Sequence, residues 1–191
     1  IVSTKRIAES VWRDEIQKWD HTKHLTLSVI AGNPKQREAA ALAFADVYTV
    51  SVDNLRWLLN ITLKNKLRYS VLILDELSLF KNHNSQRFKV LKKYLPLFPR
   101  RFGLTGTPMS NAVADIWAQM FLIDKGLRLG TGIGKFRERF LDIGARNGQV
   151  IYKYVPKPGA VEQITNLISD VCLSMQSDDY IELPEIMYIT I

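Results

Sequence analysis

The sequence predicts an α/β fold, a parallel sheet with helices on both faces, and three observations carry that expectation. Val71-Leu72-Ile73-Leu74 runs directly into Asp75-Glu76, the pattern of a strand buried on both faces whose carboxyl end opens into a site. Phe102-Gly103-Leu104 repeats the design and runs into Thr105-Gly106-Thr107-Pro108. Strand and helix signals alternate along the rest of the chain, which calls for parallel strands joined by crossover helices.

Taken in order, Ile1 to Thr4 reads as the end of a strand. Ala8, Val11, Trp12, Ile16 and Trp19 are spaced to form one apolar helix face. Leu25 to Ile30 alternates as a strand does and stops at Ala31-Gly32-Asn33-Pro34. Pro34 suits a helix start, and the Ala-rich run from Gln36 to Ala45 has high helix propensity. Val47 to Val50 is a short strand, after which Ser51 or Asp53 is expected to cap a helix through Leu55, Leu58 and Leu59. A polar loop should follow Glu76, then a helix through Phe88, Leu91 and Leu95 that Pro96 and Pro99 end. Val113, Ile116, Trp117, Met120 and Phe121 mark an amphipathic helix with Ser110 or Asn111 as cap. A Gly-rich stretch from Gly126 to Gly134 precedes a short helix at Phe136 to Phe140. Val150 to Val155 reads as a strand, Val161 to Val171 as a last helix, and Ile186 to Ile191 as a final strand.

The chain has 191 residues, 47% hydrophobic and 24% charged, the composition of one globular domain or a large piece of one. No stretch reaches the roughly 18 apolar residues of a membrane span. Ile1-Val2-Ser3-Thr4-Lys5-Arg6 has neither an initiator Met nor a signal-peptide pattern; it reads as a strand entered from upstream, so the chain is expected to be a fragment. Cys172 is the single cysteine, which suits a reducing cytoplasm, and Val171-Cys172-Leu173 places it as a core packer. A net charge of +7 permits nucleic-acid binding by phosphate neutralisation. Trp12, Trp19, Trp57 and Trp117 sit at helical core spacings and read as packing residues. His21 and His24 are spaced like metal ligands, but one remote cysteine and a distant His83 do not complete a zinc set.

Ligands of open α/β sheets sit at the carboxyl ends of the strands. An Asp-Glu pair there suits Mg²⁺-nucleotide chemistry: a hard cation wants oxygen ligands, and an attacking water needs an orienting or basic group. The plainer alternative is a carboxylate turn after a strand. No phosphate-cradling lysine loop precedes the pair. Gly130-Thr131-Gly132-Ile133-Gly134-Lys135 imitates one, but Leu129 fills the first glycine position of that pattern and Phe136 stands where Ser or Thr belongs. A connecting loop is the expectation there.

These segments together resemble a known family. Asp75-Glu76-Leu77-Ser78 with Phe80-Lys81-Asn82, followed by Leu104-Thr105-Gly106-Thr107-Pro108-Met109-Ser110-Asn111, looks like motifs II and III of Swi/Snf-type superfamily-two helicases and translocases. Ile1 to Trp12 resembles motif Ia and its helix, Val50 to Leu55 falls where motif Ib would, and Phe136-Arg137-Glu138-Arg139-Phe140 resembles the helix after motif III. Ser78 stands where many relatives carry His, a flavour similar to the phage-encoded branch.

The resemblance covers essentially the whole chain and implies a partial first RecA-like (P-loop NTPase) lobe, starting after the P-loop strand and ending before the second lobe. The Thr105 strand should then lie at the edge of the sheet. It implies that Asp75 holds Mg²⁺ and that Glu76 activates water for ATP hydrolysis. Ser78, Thr105, Gly106 and Thr107 would couple nucleotide state to motion. Ser3, Thr4, Lys5 and Arg6 would contact the DNA backbone, at a strand-to-helix junction suited to phosphate. The missing second RecA-like lobe is the other implied partner, the setting is the cytoplasm of a bacterial or phage-infected cell, and the fragment alone is expected to be inactive. The alternative is a non-catalytic module that binds nucleic acid or protein on an ATPase-like scaffold.

Overall fold

The computed structural model describes residues 1–106, 113–148 and 150–174. Five parallel strands form the main sheet: β1 (Val2–Ser3), β2 (Leu27–Ile30), β3 (Val47–Ser51), β4 (Val71–Asp75) and β5 (Arg100–Leu104), in the spatial order β2-β3-β1-β4-β5. The register sets Val2 beside Val50 and Leu74, Ile30 beside Val50, and Asp75 beside Leu104. All five carboxyl ends therefore finish at one edge of the sheet. Asp75, Ser3 and Ser51 stand at nearly the same level, which is where the sequence placed the site.

Helices cross between the strands: α1 (Trp12–Lys18), α2 (Pro34–Leu42), α3 (Leu55–Lys64), α4 (Gln86–Tyr94) and α5 (Asp115–Asp124). Asn33 caps α2 through a reciprocal box with Gln36, and Pro34 occupies its first turn, where a missing N–H costs nothing. Neither Ser51 nor Asp53 caps α3; a single 3-10 turn at Val52–Asn54 leads into it, and its cap residue, Asn54, makes no side-chain capping bond. The core joins both faces of the sheet through Leu72 and Leu74 to Leu55, Leu59, Phe88, Leu91 and Phe121.

β5 lies at the edge, as expected from the resemblance, with Phe102 and Leu104 about half exposed. Gly103 on this strand is a close-approach position: a Cβ there would come within 2.5 Å of Leu77 Cδ2. The helix expected to be amphipathic is instead buried from Ile116 to Leu122 on every side. It is covered by the sheet, by α4 and by α6 (Ile133–Phe140), so it needs no polar face. Its cap residue is Ala114; Ser110 and Asn111 lie outside the described residues, as does the strand expected at Ile186 to Ile191.

At the end of α5 the chain reverses through Lys125 and Gly126, both in the left-handed region, and a side chain on Gly126 would meet the Gly130 carbonyl at 2.7 Å. Asp124 accepts from the backbone N–H groups of Gly126, Leu127 and Arg128. Arg128 in turn donates to Asp170, just beyond α7 (Ala160–Ile168). The apparent phosphate loop is thus a turn and the start of α6, with Gly132 as its cap residue.

β6 (Leu141–Asn147) and β7 (Val150–Pro156) form a separate antiparallel hairpin; β7 was expected, β6 was not. Cys172 is exposed, contrary to the core placement, although its Sγ still touches Met120 Sδ at 3.7 Å. It follows the last described helix, so only one side of it finds apolar cover. No helix among the described residues is long and apolar enough to cross a membrane.

Candidate functional site

β4 delivers Asp75 at its last residue, and the next residue departs from ordinary geometry. Glu76 has φ 69° and ψ 68°, a left-handed conformation that disfavours any residue with a Cβ and concentrates at functional positions. The conformation is enforced from below. Leu77 and Phe80, in the single 3-10 turn Leu77–Phe80, are both buried, so the chain dives into the core immediately after the carboxylate and leaves Glu76 at the rim. A polar loop was expected here; the apolar pair Leu77 and Phe80 makes it a buried turn instead.

Each carboxylate is held by one oxygen. Trp12 Nε1 donates to Asp75 Oδ2 at 2.9 Å. Ser78 Oγ and Thr105 Oγ1 both donate to Glu76 Oε1, at 2.5 and 3.0 Å. The β4–β5 register, which pairs Asp75 with Leu104, is what brings Thr105 alongside Glu76. Asp75 Oδ1 and Glu76 Oε2 accept no hydrogen bond from the described residues. Two fixed carboxylates, each presenting a free oxygen at the sheet edge, fit Mg²⁺, which takes one or two carboxylates and fills its remaining positions with water and phosphate oxygens. Lys81 forms an ion pair of 3.7 Å with Asp115, tying this turn to α5, and Asn82 accepts from the Asn84 N–H.

Of the residues expected to couple nucleotide state to motion, Ser78 and Thr105 meet on one oxygen of Glu76. Gly106 sits at an exposed bend with nothing within 4 Å of a Cβ placed on it, so neither crowding nor left-handed backbone demands glycine there. Thr107 lies outside the described residues.

The residues proposed for DNA divide. Lys5 and Arg6 are exposed at the same edge of the sheet, and Thr4 is half-buried with its carbonyl accepting from Ala8 N–H. Ser3 is a correction: it is completely buried, with its hydroxyl donating to the Thr4 carbonyl, because it ends a central strand flanked on both sides. Its side chain is out of reach of a phosphate. The helix that follows opens as a π-helix, Ile7–Val11, a form that clusters at functional sites. Thr49 Oγ1 donates to the Ala8 carbonyl at 2.7 Å from within the core.

The tryptophans also divide. Trp117 is core. Trp19 is half exposed, since α1 ends before it and its ring lies over the helix end beside Glu15 and Lys18. Trp12 has a polar task at Asp75, and Trp57 carries the Arg37 guanidinium 5.1 Å above its ring. Sequence periodicity registers only an apolar face, so neither polar contact was foreseen.

Comparison with known proteins agrees with this geometry. The family model described as SNF2-related domain matches residues 1–174. The chain is 33% identical over 191 residues to putative protein p41 of Acyrthosiphon pisum secondary endosymbiont phage 1, covering 97% of this chain and 41% of that protein. It is 32% identical over 131 residues to the TATA-binding protein-associated factor MOT1 of Saccharomyces cerevisiae, covering 68% of this chain and 7% of that one. The chain thus spans well under half the length of these relatives. Among solved structures, the Sulfolobus solfataricus SWI2/SNF2 ATPase core in complex with dsDNA superposes with a TM-score of 0.66 at 23% identity, over 90% of this chain and 32% of that one. The fold it shares is the α/β RecA-like lobe. With the family model spanning all of the described residues, this chain belongs to the SNF2-related domain family.

Proposed function

We propose that the chain carries the acidic half of the Mg²⁺-nucleotide site, and part of the DNA track, of a DNA-dependent ATPase of the Swi/Snf helicase and translocase group. The observation that carries this reading is the junction at Glu76, where a left-handed carboxylate after a buried strand is gripped by Ser78 from motif II and Thr105 from motif III. The Sulfolobus structure, an ATPase core bound to double-stranded DNA, supports it by shared fold.

In this reading Asp75 would hold Mg²⁺, directly or through water, and the chemistry supplied there would be neutralisation of phosphate charge. Glu76 orients the attacking water and takes up its proton through Oε2. Thr105 and Ser78 fix the rotamer of Glu76, so a movement of the segment after β5, with Gly106 and Thr107, reorients the base and couples nucleotide state to motion. Thr4, Lys5 and Arg6 contact DNA phosphates. The 191 residues contain no Gly-Lys-Ser/Thr phosphate loop, so ATP hydrolysis requires residues beyond these and arginines of a second RecA-like lobe. The lone cysteine supports a reducing cytoplasm, in a bacterial or phage-infected cell, as the setting.

The test is a pair of substitutions in a protein that joins these residues to a phosphate loop and a second lobe. Glu76→Gln should abolish hydrolysis and retain ATP binding, whereas Asp75→Ala should also weaken Mg²⁺-nucleotide binding. Equal loss of nucleotide affinity in both variants sinks the division of roles.

A further inference from the structure

Thr49 lies in β3, a strand flanked by β1 and β2, and is fully buried. A valine would have the same branched shape there, and a hydroxyl sealed from water is costly unless it is bonded. Its bond goes to the Ala8 carbonyl at 2.7 Å. That carbonyl is open to it because of the π-helical turn Ile7–Val11. The Trp12 N–H donates to the Ile7 carbonyl, five residues back, whereas an α-helix would give it the Ala8 carbonyl. We propose that Thr49 is a positioning residue for Asp75: its hydroxyl holds the π-turn, and the π-turn aims the Trp12 indole at the carboxylate. The inference rests on the reading of Asp75 as a metal-holding carboxylate and deepens it with a residue outside every motif-like segment of the sequence.

An extra residue in one helical turn rotates whatever follows it by about 100° relative to what precedes it. Lys5 and Arg6 precede the π-turn and are exposed. Trp12 follows it and turns inward, half-buried, with Nε1 2.9 Å from Asp75 Oδ2. Of the five residues of the turn only Ala8 is buried. Ala8 is therefore where the turn meets the sheet, and its bond with Thr49 is the polar part of that contact. Ser10 Oγ donates to the Arg6 carbonyl at 2.8 Å on the exposed side, a bond within the helix that does not tie it to β3.

Removing the Thr49 hydroxyl leaves the Ala8 carbonyl buried without that donor, and an unpaired buried carbonyl is unfavourable. The nearest replacement is the Trp12 N–H. Recruiting it tightens the turn to α geometry and swings the indole off Asp75. Oδ2 then loses the bond that fixes it, and the carboxylate is free to turn. Groups that orient a metal-binding side chain from behind are worth about 10- to 100-fold in metal affinity, so the effect of Thr49 should be legible at the metal although Thr49 touches neither carboxylate.

The experiment takes the full chain labelled with nitrogen-15 and reads two quantities: the indole N–H resonances, and Mn²⁺ affinity by electron paramagnetic resonance. Mn²⁺ accepts the same oxygen ligands as Mg²⁺. The chain has four tryptophans, so the indole signal absent from Trp12→Phe is that of Trp12. In Thr49→Val this signal should move to the position it takes in Asp75→Ala, where its acceptor is gone, while the other indole signals stay and show the fold intact. Mn²⁺ affinity should fall about tenfold in Thr49→Val and in Trp12→Phe. Thr49→Ser keeps the hydroxyl and should leave both readouts near wild type. An unmoved Trp12 signal in Thr49→Val overturns the inference. So does Thr49→Ser behaving as Thr49→Val, which would assign the effect to packing of the methyl group. A moved signal with unchanged Mn²⁺ affinity, where Asp75→Ala lowers that affinity, overturns the positioning role and leaves Asp75 standing as the metal carboxylate. Equal Mn²⁺ affinity in wild type and Asp75→Ala removes the metal reading, and the positioning role with it.

Discussion

The indole N–H of Trp12 donates to Oδ2 of Asp75. The two residues come from different parts of the chain, Trp12 from the helix that begins beside Lys5 and Arg6 and Asp75 from the end of β4. A side chain on the proposed DNA-contacting helix therefore fixes the orientation of the proposed metal-binding carboxylate, leaving Oδ1 as its open oxygen. A displacement of that helix is felt at Asp75 without any intervening residue.

Trp12→Phe tests the contact. It keeps most of the ring and removes the donor, leaving a half-buried carboxylate without its partner. The expected cost is about 1 to 2 kcal/mol in urea unfolding, with the slope against denaturant unchanged. Wild-type stability in this variant would show that the hydrogen bond is replaced by water at no cost.

Lys5 and Arg6 should account for about two units of the salt slope of duplex binding if both contact phosphate. The double substitution to Gln, followed by fluorescence anisotropy, measures it. Affinity should also differ by less than about tenfold between unrelated duplexes, because phosphate contacts carry no sequence information. An unchanged slope would move the binding surface elsewhere.

The strand ending in Asp75-Glu76 was readable because a continuous apolar run leaves few alternatives to a buried strand, and its adjacent carboxylates could only lie at its end. The grip of Ser78 and Thr105 on Glu76 was readable only as motif resemblance, since it depends on a register that pairs Asp75 with Leu104. The partnership of Trp12 with Asp75 spans 63 positions, and a helical period says nothing about an indole N–H. β6 was missed although Leu141, Ile143 and Ala145 alternate with Asp142, Gly144 and Arg146: Gly144 and the small Ala145 make that signal weak, and pairing with β7 supplies the order. Ser3 was misassigned because its place at a strand end was read as exposure, whereas β3 and β4 flank it on both sides.

Asp124 is expected to be a stability hot spot. Its side chain is 5% exposed and accepts from three consecutive backbone N–H groups as well as from Arg128. Asp124→Ala should cost about 2 kcal/mol, since donors in a tight turn lose their acceptor together. Thermal unfolding measures it, and a change below about 0.5 kcal/mol, the range of ordinary surface substitutions, would refute it.

His83 gives the fold a pH dependence. Burial lowers its pKa below the ordinary 6.5, and the nearby positive charges of Arg137 and Lys89 push the same way; its ring meets Trp117 edge-on at 6.2 Å. The folded state thus favours the neutral imidazole. As pH falls through about 6.5, the unfolded chain takes up the proton first, so this contribution is present above that pH and is lost progressively toward the lower folded-state pKa. Melting curves from pH 8 to pH 5 should show stability declining below 6.5, and His83→Gln should flatten that decline. An equally steep decline in the variant would assign it to other groups.

The 191-residue chain should show no DNA-stimulated ATP hydrolysis. Most of the catalysis of phosphoryl transfer comes from positioning the phosphates and neutralising their charge. In the proposed reading the carboxylates at Asp75 and Glu76 would supply a cation site and a base, and neither of these grips a phosphate chain. The sequence offers no Gly-Lys-Ser/Thr loop, because Leu129 and Phe136 break the one approximation to it, and Lys135 is held within α6, whose Phe136 and Phe140 are buried. Arg37 does not substitute, since it faces a cavity at the ends of β1, β2 and β3, while the carboxylates are fixed at the end of β4 against β5. Phosphate release should therefore equal the no-enzyme background with and without duplex DNA. Turnover above background that disappears in Glu76→Gln would show that these residues assemble a working phosphate site unaided, and would overturn the separation of the acidic half from the phosphate-binding half.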